Sequence, residues 1–376
     1  MVALLLVGVV LSACSGAAPV SQNWPGLTVE GDTIYAISGA PQEVYVLDAA
    51  TSAVKGTFIP AGAGDSGAAV NYWSPVTVGD GLAFVGFFQE KSNDNGLYAL
   101  DPATGQQRWR IATESEILSA PTYADGVVYF GTTDEKVYAV DVASQGIKPG
   151  WPIEAGSAIW ASPLVADGRV YVATMGHVVY CLDAETGDEM WKTEVGGALA
   201  AQPLLVDGIL YAGAFDGRVH AIKADSGELV EGFDFQANNW IWSTPLMVED
   251  RLFVTVLDGS LYALDPATGD VLAPYPYNSG EVGGGKDVIR ANPVQVGDTI
   301  VIATENGYAI AVREAQRVCS WPSGTPQYGM YTTPVVSGDK VYVIQQTSGQ
   351  VHTLDATALQ TGVCAGNLIF SPPEGN

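Results

Sequence analysis

The chain has 376 residues, with 16 Lys and Arg against 41 Asp and Glu, a formal charge of −25, and 47% apolar against 15% charged residues. So large an apolar share supports a sizeable core and excludes a disordered chain. The negative charge disfavours nucleic acid and anionic head groups as partners, since neither offers counter-charge to release.

At the N-terminus, Val2 to Leu11 is a ten-residue apolar run followed by Leu11-Ser12-Ala13-Cys14. Ten residues are too few to cross a bilayer core, which takes about 20. They suit the apolar part of a secretory signal. The four residues resemble a bacterial lipobox, which implies cleavage after residue 13 and a lipid on Cys14. The first basic residue is Lys55, so the usual positive charge ahead of the run is missing. The expectation is a signal at 1–13, a lipidated tether at 14–22, and a protein held on the extracytoplasmic side of a bacterial membrane.

From residue 23 onward one segment recurs eight times. Each copy opens on a proline, at Pro25, Pro75, Pro121, Pro163, Pro203, Pro245, Pro293 and Pro334. Apolar runs and an acidic turn follow, as in SPVTVGDGLAFVG and ASPLVADGRVYVA. A second half reads GLYALDPATGQQRW or VVYCLDAETGDEMW, and is degenerate in the first, seventh and eighth copies. Each copy contains four short β-branched and aromatic runs separated by Asp-Gly, Gly-Asp or Thr-Gly turns, the pattern of antiparallel hairpins. No helical period intervenes. A four-stranded sheet cannot bury both faces alone, so the copies must stack, and radial closure removes most exposed edges. The fold class expected is all-β, an eight-bladed propeller of four-stranded antiparallel blades over 23–371, with 372–376 as a tail.

The motif A-x-D-x-x-T-G-x-x-x-W, present as Ala99 to Trp109, resembles the tryptophan-docking repeat of pyrroloquinoline-quinone-type propellers. The likeness spans nearly the whole chain beyond the signal. Asp48, Asp101, Asp141, Asp183, Asp265 and Asp355 are placed to accept turn N–H groups. Trp109, Trp151, Trp191 and Trp321, with Phe233 and Tyr275 as stand-ins, are expected to begin outer strands and wedge between blades. The family includes quinoprotein dehydrogenases, which are longer and carry adjacent cysteines and a calcium site. Cys14, Cys181, Cys319 and Cys364 are nowhere adjacent, so no catalytic residue, metal or cofactor is expected. The chain is also similar to the scaffold lipoproteins of outer-membrane β-barrel assembly, which implies a protein partner at a membrane surface. A carbohydrate- or peptide-binding sensor and a degenerate quinoprotein oxidoreductase are the alternatives, and a monomer is expected.

Other patterns reduce to structure. Gly62 to Gly67 matches G-x-G-x-x-G, but a strand follows it rather than a helix. Gly280 to Lys286 starts like a phosphate loop, yet Asp287 would put negative charge where phosphate must sit. Asn93 to Gly96 reads as a tight turn, because a calcium loop would need a closing Glu. His177, His220 and His352 lie in separate repeats and read as blade-surface residues. Cys181 replaces an alanine of sister repeats and reads as buried. Cys319 and Cys364 fall on outer strands of adjacent repeats, where an oxidising compartment permits a disulfide if their Cα atoms lie within about 7 Å.

Strand order puts first and third turns on one face, and second turns and blade connections on the other. The first turns carry Asp32, Asp80, Asp125, Asp167, Asp207, Asp250, Asp298 and Asp339, an acidic ring that turn chemistry explains. On the opposite face, three residues ahead of each proline from the second repeat onward, stand Tyr72, Leu118, Trp160, Ala200, Trp242, Arg290 and Tyr331. Trp73, Trp240 and Tyr328 are adjacent. Aromatics with an Arg are the residue types of binding hot spots, so Tyr72, Trp160, Trp242, Arg290 and Tyr331 are the candidate binding residues, for a protein or for a small or polymeric ligand.

Overall fold

The computed structural model describes residues 26–38, 43–58, 70–89, 94–281, 287–324, 326, 328–346 and 348–373. Eight antiparallel sheets follow one another along the chain, and each is built from consecutive strands in the order inner, middle, middle, outer. Blades 1 to 8 span 27–58, 70–113, 122–154, 164–194, 204–236, 246–278, 294–321 and 335–370. The protein is an eight-bladed β-propeller. Among the described residues no helix is long and apolar enough to cross a membrane.

Burial explains the strand composition. Middle strands are sandwiched between neighbouring blades, so Val127–Gly131, VVYFG, is buried throughout. The outer strand Glu189–Glu194, EMWKTE, meets solvent on one side and alternates between exposed and half-buried positions. The core is a set of eight apolar seams, one per blade junction. The ring closes without a shared strand: Leu27, Ile34 and Tyr45 of blade 1 pack on Tyr342, Val351 and Phe370 of blade 8.

Polar groups tie the same junctions. The hydroxyls of Tyr35, Tyr129, Tyr171 and Tyr211 donate to the carbonyls of Pro102, Ala184, Ala224 and Pro266, each in the third turn of the next blade, at 3.3, 3.2, 3.3 and 2.9 Å. The docking aromatics follow suit. Trp191 Nε1 donates to Ala224 O at 3.1 Å, and its indole lies so close to Gly227 that a Cβ there would sit 2.7 Å from the ring. Trp321 covers Gly366 in the same way. Glycine in the third turn of blade 5 and at the start of the outer strand of blade 8 is the floor on which the preceding blade's indole rests.

Two repeated hydrogen bonds sort the loops by face. Third turns donate to first turns through Ala49 to Asp32, Val142 to Gly126, Ala184 to Gly168 and Ala224 to Gly208. Second turns donate to blade connections through Thr133 to Glu116, Met175 to Ala158, Phe215 to Ala198, Leu257 to Trp240, Glu305 to Val288 and Gln346 to Gly329. The acidic ring is turn chemistry, at two different turn positions. Asp80, Asp125, Asp167 and Asp207 hold positive φ, which Asp tolerates, whereas Asp32, Asp298 and Asp339 follow a glycine that holds it instead.

Several expectations need correction. Outer strands of blades 3, 5 and 6 are interrupted, because inserted residues carrying Trp151, Phe233 and Tyr275 bulge out before pairing resumes at Ile153–Glu154, Phe235–Gln236 and Tyr277–Asn278. Trp321 ends its strand instead of beginning it. A helix, α1 (Ala356–Gln360), replaces the third turn of blade 8, capped by Asp355, which accepts from Ala358 N. Asn95 and Gly96 belong to the strand Asp94–Leu100, not to a turn. His352 is tucked against Trp321, rings 4.7 Å apart, and His220 pairs with Asp216 at 3.0 Å, so only His177 is an exposed surface residue. Cys181 is buried. Cys319 and Cys364 are bridged, Cα atoms 5.6 Å apart and 45 residues apart in sequence. A loop of that length corresponds to about 4 kcal/mol of stabilisation in the chain-entropy description. The loop at 62–67 and most of 280–286 lie outside the described residues, as do Cys14 and Asn93.

The third-turn carboxylates make stability depend on acid. Asp48, Asp101, Asp141 and Asp183 are held below the ordinary carboxylate range: Asp48 and Asp183 mainly by turn N–H groups, Asp141 mainly by the Ser144 hydroxyl, and Asp101 mainly by Arg108. A depressed folded-state pKa contributes stability above the unfolded value of about 4 and loses it as pH falls further. The unfolding midpoint should therefore hold from neutral pH to about 5 and fall below about 4. A thermal melt at pH 2.5 matching that at pH 7 would contradict this.

Candidate functional site

At the mouth of the central channel, on the face of second turns and blade connections, the inner strands open onto a funnel enclosing about 320 Å³. Its floor is polar. Neighbouring inner strands are linked there by Thr28 to Val76 O, Thr122 to Pro163 O, Gln202 to Pro163 O, Thr244 to Gln202 O and Asn292 N to Thr333, at 2.6, 2.6, 2.7, 2.8 and 3.0 Å. Thr122, Gln202, Thr244, Asn292 and Thr333 flank the repeat prolines, and Thr28 bonds the residue next to one. Since proline has no N–H to donate, side chains supply the inter-blade bonds instead.

The wall is aromatic. Trp73, Leu118, Trp160, Ala200, Trp242, Arg290 and Tyr331 all line it. The structure thus gathers four of the five candidate binding residues, Trp160, Trp242, Arg290 and Tyr331, in one concavity. Tyr72 is not among them. It is fully buried with Phe87 and Tyr98 between blades 1 and 2. The reason is register: one residue ahead of the funnel positions runs a row of buried plugs, Ile117, Ile159, Leu199, Ile241, Ile289 and Met330. Ile117, Ile159 and Ile241 fit over Gly86, Gly131 and Gly213, where a Cβ would come within 2.8, 2.2 and 2.3 Å of them. In blade 2 the connection to the proline is one residue shorter, so Tyr72 is the plug and Trp73 faces the funnel.

Trp242 is the centre of a stack. Phe215 lies 5.0 Å from it, centroid to centroid, and 4.8 Å from Trp240 on its other side. Trp160 meets Trp242 at 6.2 Å, and the Arg290 guanidinium sits 4.9 Å above its ring. Such a cation–π contact is worth about 0.5–2 kcal/mol. Arg290 is also ion-paired with Glu305 of the adjacent second turn. Burial, reinforced by Glu305, raises the Tyr331 phenol above its ordinary value, so it stays a neutral donor at physiological pH. Trp160 and Trp240 remain 36% and 49% exposed.

Phe215 and Glu305 are missing from the residues picked out by spacing. Both stand second in a second turn, the position that bonds the blade connection in six successive blades. Sister repeats place Thr133, Met175, Leu257 and Gln346 there. An aromatic in an otherwise variable turn position was the available signal.

The family described as outer membrane protein assembly factor BamB matches residues 65–149 and 148–359. Among solved structures, BamB from Moraxella catarrhalis superimposes with a TM-score of 0.70 at 18% identity, covering 87% of this chain and 92% of that one. The computationally designed Ika8 protein gives 0.70 at 15% identity, with 87% and 94% covered. A europium-containing methanol dehydrogenase gives 0.66 at 14% identity, with 90% and 85% covered. No curated protein matches the chain in sequence. The structural likenesses establish the fold, and the family match extends over most of the chain: it belongs to the pyrroloquinoline-quinone-like β-propeller family described as outer membrane protein assembly factor BamB.

Proposed function

We propose that the protein is a lipid-anchored extracytoplasmic scaffold that docks a protein partner in the aromatic funnel and performs no chemistry of its own. The observation that carries this reading is the division between neighbouring positions. The plugs, Ile117 to Met330, are apolar and buried in each of blades 3 to 8, while the positions beside them vary among Trp, Leu, Ala, Arg and Tyr and line the funnel. Packing dictates the first set and leaves the second free for recognition. The matched family is named for an assembly factor, which supports a partner in the bacterial envelope.

A quinone does not suit the funnel. Pyrroloquinoline quinone carries three carboxylates, and the one cation among the described lining residues, Arg290, is already paired with Glu305. Among the described residues the lining offers no carboxylate to hold a metal beside the quinone, and no group of three or more His, Cys, Asp or Glu assembles.

The anchor is tested by fractionation. Cys14→Ser should move the protein from membranes to the soluble fraction with its melting behaviour unchanged. Full retention on membranes would remove lipidation from the reading.

A further inference from the structure

Away from the funnel, on the face that carries the acidic ring, blades 5 and 6 part around a second hollow of about 320 Å³. Its floor and walls are apolar: Ile209, Tyr211 and Val230 come from blade 5, Met247 and Pro266 from blade 6. All but Tyr211 are only half-buried, so apolar surface stands open to solvent there. Asp207, Glu249 and Asp250, all exposed, stand at the mouth, and no cation lines the hollow among the described residues.

The repeat itself shows what this junction lacks. At the other four junctions between blades 3 and 8, a basic side chain of one blade reaches the third turn of the next, or helix α1 in blade 8. Lys148 binds Glu185 at 2.8 Å, Arg169 the carbonyl of Ala224 at 2.9 Å, Arg251 binds Glu314 at 2.8 Å, and Arg313 the carbonyl of Gln360 at 2.8 Å. Between blades 5 and 6 the same positions supply nothing. Ile209 opens its strand where Arg169 and Arg251 open theirs. Val230 donates its N–H to Ala221 as Lys148 does to Ala139, both at 2.8 Å. Lys223 ends its third strand as Arg313 does, but Glu228 of its own turn holds it at 2.9 Å.

These exchanges leave a carbonyl short of donors. In the third turn of blade 5, Ala224 O accepts from Arg169, Tyr171 and Trp191. Its counterpart in blade 6, Pro266 O, accepts from Tyr211 alone among the described residues, at 2.9 Å. Phe233, the aromatic beside Tyr211, has no N–H on its ring to add. Burial, and then the charges of Asp207 and Asp265, raise the Tyr211 phenol above its ordinary value, a sign that negative potential reaches the floor.

We propose that this hollow receives the arginine side chain of a polypeptide partner, its alkyl stem on Ile209, Val230 and Met247 and its guanidinium shared between Pro266 O and the carboxylates at the mouth. Arginine suits the place because three of the four cations at the sister junctions are arginines. A planar guanidinium also serves a carbonyl and a carboxylate at once. Small-ligand cavities begin near roughly 300 Å³, so the hollow has room for one long side chain and not for a helix. A free amino acid suits it less than a chain does, since its own carboxylate would meet three others. The site is separate from the funnel and does not depend on the docking reading above.

Calorimetric titration of the purified full chain tests this, with a blocked pentapeptide that has arginine at its centre and glycine and serine on either side. The arginine peptide should bind one to one and at least tenfold more tightly than the same peptide with neutral citrulline, as charge-assisted hydrogen bonds require. Ile209→Arg restores the residue type of the sister junctions and fills the hollow from within, so peptide binding should vanish while the thermal midpoint holds or rises. Glu249→Gln combined with Asp250→Asn should weaken binding at least fivefold. Asp167→Asn, at the junction that Arg169 already occupies, should leave it unchanged. Absence of saturable binding, equal binding of the citrulline peptide, or undiminished binding by the Ile209→Arg protein or the double variant overturns the site. N-propylguanidinium, the side chain without a backbone, should bind at least fivefold more weakly than the peptide, because peptide N–H groups also meet the carboxylates. Equal affinity would assign the hollow to a free small cation and overturn the polypeptide partner.

Discussion

Tyr72→Ala should lower the free energy of unfolding by about 3–5 kcal/mol, the cost of deleting a buried aromatic, and leave the surviving folded protein able to bind. Trp73→Ala should do the reverse. Tyr72 has no exposed surface and is enclosed by Tyr35, Val76, Phe87 and Tyr98 across the seam between blades 1 and 2. Its removal leaves a void that rigid strands on both sides cannot collapse into. Trp73 stacks on Phe88, centroids 5.9 Å apart, with its other side toward the funnel, so its loss removes contact area for a partner and little of the core. Tyr72→Phe separates cavity from hydroxyl. That hydroxyl is buried without a hydrogen-bond partner among the described residues, so the phenylalanine variant should match or slightly exceed the parent in stability. Chemical denaturation of the three variants reads all of this. A Trp73→Ala protein as damaged as Tyr72→Ala would restore the register that the structure rejects.

These two residues also show how far the sequence could be read. The propeller was legible because a four-stranded repeat states its own strand order, and strand order alone decides which turns share a face. The repeat also marks its prolines, so positions counted back from them fall in one funnel in six of seven blades. Counting failed at Tyr72 because blade 2 omits one residue ahead of its proline, and an aromatic suits a plug as well as it suits a binding wall. The interrupted outer strands around Trp151, Phe233 and Tyr275 were hidden for a related reason. Outer strands bond to one neighbour only, so inserted residues can bulge into solvent without leaving a clear break in the apolar pattern. Phe215 and Glu305 support Trp242 and Arg290 from the second turns, a tertiary contact that spacing from the prolines does not mark and at which only the aromatic in a variable turn position hints. Helix α1 arises where blade 8 lengthens the run between its turn Asp and its Thr361-Gly362 pair, so that Ala356 to Gln360, a helix-compatible stretch behind a capping Asp, can close one helical turn.

The funnel should lose its partner when its centre is removed. Trp242 carries Phe215, Trp160 and Arg290 around it, and hot-spot truncations of Trp and Arg cost about 2 kcal/mol or more, roughly a 30-fold loss of affinity. Because Trp242 and Arg290 are only half-buried, their stability cost should fall well short of that for Tyr72. The most direct measurement is the yield of crosslinked membrane complex recovered with the anchored protein, compared across Trp242→Ala, Arg290→Ala and the acidic-face control Asp167→Asn. Each variant is first shown to melt within a few degrees of the parent. A docking funnel predicts that recovery falls at least tenfold for the two funnel variants and is unchanged for Asp167→Asn. Undiminished recovery with Trp242→Ala and Arg290→Ala, or loss confined to Asp167→Asn, would contradict it.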